Sequence, residues 1–240
     1  MTSDAVSSLT VEIYADGADL DSIKTLSENP LIKGFTTNPT LLRKAGVTNY
    51  ASFAQDLLGV VPELPISFEV IADEPDEIER QALVIAGWGD NVFVKLPVTT
   101  TDGTSLSPLA RRLADQGVKL NVTALMTEAQ VAEVADALAG GPDSFISVFA
   151  GRVADTGRDP IPVMERSLEL MAPHDNMRLI WASPRELLNV FQADEIGCDV
   201  ITVTHDVLAK LKLVGKDLDE YSLETVQMFF DDAAASGFTL

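Results

Sequence analysis

The chain has 240 residues, 46% of them hydrophobic and 22% charged, with 17 basic against 37 acidic side chains and a net charge of −20. That balance repels nucleic acid and anionic membrane surfaces, so neither is an expected partner, and no apolar run approaches the roughly 20 residues a membrane helix needs. The opening MTSDAVSSL lacks the basic flank and apolar core of a secretion signal, so a soluble cytoplasmic protein is expected.

Apolar runs bounded by turn residues alternate with stretches of helical period along the chain. The first strand is VEIYA from Val11, ending at Asp16. The second, IKGFT from Ile32, leads into Thr36-Thr37-Asn38, and an additional helix is predicted around residues 48–61. ISFEV from Ile66 places Ser67 and Glu69 on one face, because side chains alternate along a strand. NVFVKL from Asn91 carries Lys95, and VKLNVT from Val118 carries Asn121 and Thr123 on a shared face. The helix EAQVAEVADALA follows, with Thr127 as its predicted N-cap and Gly140-Gly141 as its stop. SFISVF from Ser144 offers Ser147 and then Phe149 and Arg152, and RLIWAS from Arg178 leads to Ser183 and Arg185. DVITVT from Asp199 closes the series, and Cys198, the one cysteine, reads as a buried small apolar residue that excludes an internal disulfide. In the tail from Asp217 to Leu240 a helix is predicted, with Ser222 as N-cap. Its apolar face, Leu223, Val226, Phe229, Phe230 and Ala233, must pack over the barrel or on another subunit.

Eight strand–helix repeats without a linker predict one α/β domain over residues 1–240, a single (β/α)8 barrel with an additional C-terminal helix. Active sites of such barrels occupy the C-terminal strand ends, where the polar residues named above collect. Lys95 has no acidic neighbour in sequence and could simply snorkel to solvent. Its polar company at the other strand ends favours a different role. A lysine held in apolar surroundings is a nucleophile that forms an imine with a ketone, and the imine draws electrons from a neighbouring carbon–carbon bond, allowing retro-aldol cleavage.

That chemistry needs a base for the departing hydroxyl and proton carriers for making and hydrolysing the imine. Asp16 and Glu69 are the two carboxylates at this end, and Thr123 could hold a water between itself and Glu69. Asp16 could instead cap the next helix, a role equally open to Asp19. With only His174, expected in a solvated loop, and His205, at a helix start, the chain cannot build a three-histidine zinc site. No GxGxxG follows a strand and no Walker loop is present, so neither a metal nor a cofactor is expected. Arg152 and Arg185 fall beyond strands six and seven, where barrels commonly hold phosphate, though surface ion pairing is an equal alternative.

GFTTNPTLL, FVKLPVT, LNVTALMTEAQ and ISVFAGRVAD, in this order and spacing, resemble the transaldolase family from about Val11 to about Thr204. The resemblance implies a (β/α)8 barrel of the pentose phosphate pathway that moves a dihydroxyacetone unit between sugar phosphates without metal or cofactor. By motif, Lys95 resembles the Schiff-base lysine, Asp16 the acid/base aspartate, and Glu69 and Thr123 the pair that holds the catalytic water. Asn38, Asn121 and Ser147 resemble the residues that hold the triose hydroxyls, and Arg152 in AGR a phosphate-binding arginine. Ser183 and Arg185 in WASPR match the family's Ser-Phe-Arg phosphate motif, with Pro184 in place of the usual aromatic.

Phe149 resembles the transaldolase branch, where the fructose-6-phosphate aldolase branch carries tyrosine; Glu69 stands where that branch carries glutamine. The chain length, by contrast, is closer to the aldolase branch. Small members associate through C-terminal helices, which implies a homo-oligomer. Three readings follow. The first is a transaldolase acting on sedoheptulose 7-phosphate or fructose 6-phosphate. The second is an aldolase releasing free dihydroxyacetone, or a relative using an unusual acidic sugar. The third is an idle sugar-phosphate-binding barrel, which the intact set of Lys95, Asp16, Glu69 and Thr123 opposes.

Overall fold

The computed structural model describes residues 4–237, so residues 1–3 and 238–240 of the expected domain and tail lie outside the described residues. Eight strands form the barrel: β1 Glu12–Asp16, β2 Ile32–Thr36, β3 Ile66–Glu69, β4 Val92–Pro97, β5 Leu120–Leu125, β6 Ser144–Val148, β7 Met177–Trp181 and β8 Val200–Thr204. They pair in chain order, all parallel, and β8 closes on β1. This is the (β/α)8 architecture expected from the alternation of apolar runs. β5 begins two residues later than VKLNVT implies.

The period of two along each strand divides the interior into two sets of side chains. Ile13, Phe35, Phe68, Val94, Leu120, Ile146, Leu179 and Ile201 point outward into the main core beneath the helices. Tyr14, Phe93, Phe145, Ile180, Ala182 and Val200 point inward and form a separate plug. Tyr14 meets Phe145 edge-on with ring centroids 5.7 Å apart. A Cβ on Gly34 would lie 2.5 Å from the Tyr14 ring, so β2 must carry glycine for that ring to cross the barrel. The plug fills the barrel below its C-terminal mouth. The next inward residues along the strands, among them Asp16, Thr36, Glu69, Lys95 and Thr123, are therefore raised to the rim.

Local signals account for the elements nearest the site. The helix Glu128–Leu138 starts at Thr127 with a reciprocal cap: Thr127 Oγ1 accepts Gln130 N at 3.3 Å, and Gln130 Oε1 accepts Thr127 N at 3.1 Å. The additional helix is Tyr50–Val60, capped by Asn49, whose Oδ1 accepts Ser52 N at 3.0 Å. Cys198 is 3% exposed, and burial pushes its thiol up to about 12. His174 is half-buried and His205 exposed.

The C-terminal region departs from expectation. After β8 the eighth barrel helix is reduced to His205–Leu208 and a 3-10 turn, Ala209–Leu213. The tail helix is Leu218–Ser236, and its N-cap is Asp217, whose side chain accepts Asp219 N and Glu220 N, not Ser222, which lies inside the first turns. An aspartate cap followed by acidic first-turn residues complements the helix dipole better than a serine one turn later. This helix buries none of its residues, so it does not pack over its own barrel. Leu218, Leu223, Val226, Phe229 and Phe230 stand exposed along it. Among the described residues, no helix is long and apolar enough to cross a membrane.

Candidate active site

The strand tops enclose a cavity of about 460 Å³. Its lining takes in every residue expected at the site except Asn121: Asp16, Asn38, Glu69, Lys95, Thr123, Ser147, Phe149, Arg152, Ser183 and Arg185. A larger cavity of about 760 Å³ opens at the opposite mouth, lined by Tyr14, Phe93, Phe145 and Arg178. There Arg178 is already paired with Glu12 at 3.0 Å and lies over the Phe145 ring. The smaller cavity, at the C-terminal strand ends where sites of this fold sit, is the one that gathers Lys95 with the carboxylates Asp16 and Glu69.

Lys95 is the centre of the upper site and is only 7% exposed. Parallel pairing sets Glu69 beside Lys95 and Lys95 beside Asn121, so the three are inward-facing neighbours on adjacent strands. The lysine Nζ donates to the Thr37 carbonyl at 3.0 Å and lies 3.4 Å from Glu69 Oε2. This lysine does not snorkel. A buried ammonium requires such partners, because desolvation is costly without them.

Both carboxylates are perturbed. Burial pushes Asp16 above the ordinary carboxylate range, an effect the Lys95 charge and hydrogen bonds from Thr36 and Asn38 offset only in part. Burial likewise raises Glu69; Lys95 opposes the shift and the neighbouring Asp16 charge adds to it. Perturbed carboxylates in a cleft are a feature that functional sites share.

Asp16 is held on two sides. Thr36 Oγ1 donates to Asp16 Oδ1 at 2.9 Å, and Asn38 Nδ2 donates to Asp16 Oδ2 at 3.2 Å. Thr36 has a single hydroxyl hydrogen, which goes to Asp16, so in its 2.5 Å contact with Thr202 Oγ1 the Thr202 hydroxyl is the donor. Thr202 and Thr204 share the inward face of VITVT, the signal that could have marked them. Asp16 does not cap the following helix: Asp19 does, accepting Ser22 N at 2.9 Å. Asn38 caps its own helix, Pro39–Lys44, through Oδ1 and keeps its amide for Asp16.

Asn121 is fully buried beneath the rim. Its Nδ2 donates to Ser67 Oγ at 2.9 Å, and its Oδ1 accepts Ser147 Oγ at 2.7 Å. It therefore supports Ser147 from below and does not face the cavity. Thr123 Oγ1, by contrast, is buried without a hydrogen-bond partner among the described residues. Buried hydroxyls are normally satisfied, so this one is free for a water or substrate oxygen. Next to it, Ala124 adopts φ 67° where the β5–β6 register breaks, a bulge of the kind that re-aims side chains near active sites.

The cationic side of the cavity is built by β6 and β7. Arg152 is exposed and makes no ion pair among the described residues. Arg185 is forked onto Asp155 through Nε (2.8 Å to Oδ1) and Nη2, and its Nη1 donates to Ser183 Oγ at 3.0 Å. Ser183 sits at φ 60°, and a Cβ on Gly151 would lie 1.6 Å from the Ser183 carbonyl oxygen. The glycine of AGR thus lets the loops after β6 and β7 touch. Asp155 carried no signal in the sequence. Among the described residues, no group of three or more His, Cys, Asp or Glu could hold a metal ion.

The structure is thus a closed barrel of eight parallel strands with a buried lysine and two carboxylates of raised pKa at its C-terminal mouth. The family described as "Transaldolase/Fructose-6-phosphate aldolase" matches residues 13–240. A "Probable transaldolase" of Dehalococcoides mccartyi is 33% identical over 202 residues, covering 84% of this chain and 90% of that one. A "Probable transaldolase" of Brucella ovis is 34% identical over 237 residues, covering 95% and 98%. The chain belongs to the transaldolase/fructose-6-phosphate aldolase family. A putative lyase/mutase from Burkholderia cenocepacia superposes with TM-score 0.60 at 14% identity over 88% of this chain and 83% of that one. A putative fructose-1,6-biphosphate aldolase from Coccidioides immitis does so with TM-score 0.57 at 12% identity over 89% and 83%. These two share the barrel fold.

Proposed function

We propose that this chain is a transaldolase, moving a dihydroxyacetone unit from a ketose phosphate, sedoheptulose 7-phosphate or fructose 6-phosphate, to an aldose phosphate through an imine on Lys95. The observation that carries the reading is the Lys95 amine, enclosed at the barrel mouth between the Thr37 carbonyl and Glu69, in one cavity with Asp16. In the proposed cycle the uncharged amine attacks the ketone carbon and water leaves. Asp16 then takes the proton of the hydroxyl carried by the far carbon of the scissile bond. As that bond breaks, its electrons pass into the iminium, an enamine forms and the aldehyde departs. The acceptor aldehyde reverses these steps, and a water held by Glu69 and the free Thr123 hydroxyl hydrolyses the imine.

Transfer is favoured over release by what surrounds the three-carbon unit. Phe149 lines the cavity beside Ser147 and contributes no hydroxyl there. Without a second proton donor at that wall, the enamine persists until an acceptor arrives. The test is product analysis with fructose 6-phosphate, with and without erythrose 4-phosphate. Slow dihydroxyacetone release alone and rapid transfer with acceptor are expected. Rapid release that acceptor leaves unchanged would make the protein an aldolase of the same family.

A further inference from the structure

β2 and β3 pair only at Phe35–Ile66 and Thr36–Ser67. Along that edge Phe35 N donates to Pro65 O at 2.8 Å and Thr37 N to Ser67 O at 3.2 Å. One more step of a parallel ladder would send Glu69 N to Thr37 O and the amide of residue 39 to Glu69 O. Neither bond forms. Residue 39 is proline and has no N–H to give, and Thr37 O accepts the Lys95 amine instead.

Both abandoned backbone groups of Glu69 are taken by one side chain from outside the sheet. Glu69 N donates to Tyr50 Oη at 2.8 Å, and Tyr50 Oη donates to Glu69 O at 3.0 Å. The phenol ring is wedged edge-on between Phe68, at 6.2 Å, and Trp88, at 5.5 Å. Tyr50 does not line the cavity, so it acts through its neighbours and not on substrate.

We infer that Tyr50 is a positioning residue for the Lys95–Glu69 pair: its hydroxyl replaces the missing ladder step, which fixes Glu69 at the strand end and leaves the Thr37 carbonyl to the lysine. Burial raises the phenol well above its ordinary value, so the hydroxyl keeps its proton and goes on donating. Without it, an orphaned Glu69 amide would compete with Lys95 for the Thr37 carbonyl, and two catalytic groups would shift together. The inference rests on reading Lys95 as the imine lysine and Glu69 as the holder of water.

The test begins by establishing transfer by the unmodified protein; its absence overturns the functional reading and leaves the geometry of Tyr50 standing. Given activity, Tyr50→Phe is expected to lower kcat about tenfold or more while changing donor KM less than about threefold. The acidic limb of the kcat–pH profile should move to lower pH, because a loosened Glu69 is better hydrated. Unchanged kcat and pH limb, or a loss in KM alone, would overturn the inference. Trp88→Phe disturbs the ring packing and spares the hydroxyl; an equal loss of kcat there would reassign Tyr50 to packing. Should Tyr50→Phe fail to fold, amide exchange of Glu69 in the unmodified protein decides: protection is expected, and free exchange at that strand end would refute the bond.

Discussion

Replacing Arg185 by alanine tests whether the β6–β7 side of the cavity holds phosphate. A charge-assisted hydrogen bond contributes about 1.5–3 kcal/mol. The Arg185 side chain is 42% exposed and already forked onto Asp155, so solvent and the competing carboxylate reduce its worth to the low end of that range. A loss near 1.4 kcal/mol corresponds to roughly tenfold in kcat/KM. Steady-state kinetics at fixed ionic strength, comparing phosphorylated donors with unphosphorylated ones, should show that loss only for the former. Asp155→Ala leaves the cation in place but frees the fork, and an exposed pair of this kind is worth so little that only about a threefold loss is expected. Equal losses for both substrate types in Arg185→Ala would refute the phosphate assignment. A gain in Asp155→Ala would show that this carboxylate occupies the phosphate's place and does not orient the arginine.

Glu69→Gln should stabilise the fold at the expense of activity. Because burial raises its carboxyl above the ordinary 4.5, the folded state binds that proton more tightly than the unfolded chain, and stability falls as pH rises from about 4.5 through the raised value. The variant should therefore melt higher than the original at about pH 8 and match it below about 4.5; a difference independent of pH contradicts the shift. Phe149→Tyr supplies a hydroxyl at the cavity wall and should raise dihydroxyacetone release without acceptor; an unchanged rate would reduce Phe149 to a filler of the barrel. The exposed apolar residues of the helix Leu218–Ser236 are expected to be covered by another copy of the chain. Light scattering at micromolar concentration should show an oligomer, and a monomer would refute it.

Regular alternation made the barrel legible. Period-two strands also placed Asp16, Glu69, Lys95 and Thr123 on inward faces at the same ends. Depth was not legible, because alternation gives the face of Asn121 and not the level at which Ser67 and Ser147 seal it off. Pairings across long sequence distances were equally hidden. Nothing in AGRVAD announces that Asp155 will hold Arg185, 30 positions away. The role of Tyr50 required seeing that Pro39 and the lysine break a ladder between two other strands. The tail helix was legible as amphipathic, but a stripe of apolar residues does not say what covers it, and Asp217 competed with Ser222 for the cap.

Reduction of the enzyme with borohydride in the presence of fructose 6-phosphate, followed by peptide mass analysis, tests the Schiff base at Lys95 most directly. The peptide containing Lys95 should carry the reduced three-carbon adduct, and Lys95→Ala should lose both adduct and transfer activity. An adduct on another lysine, or undiminished activity in Lys95→Ala, would contradict the account.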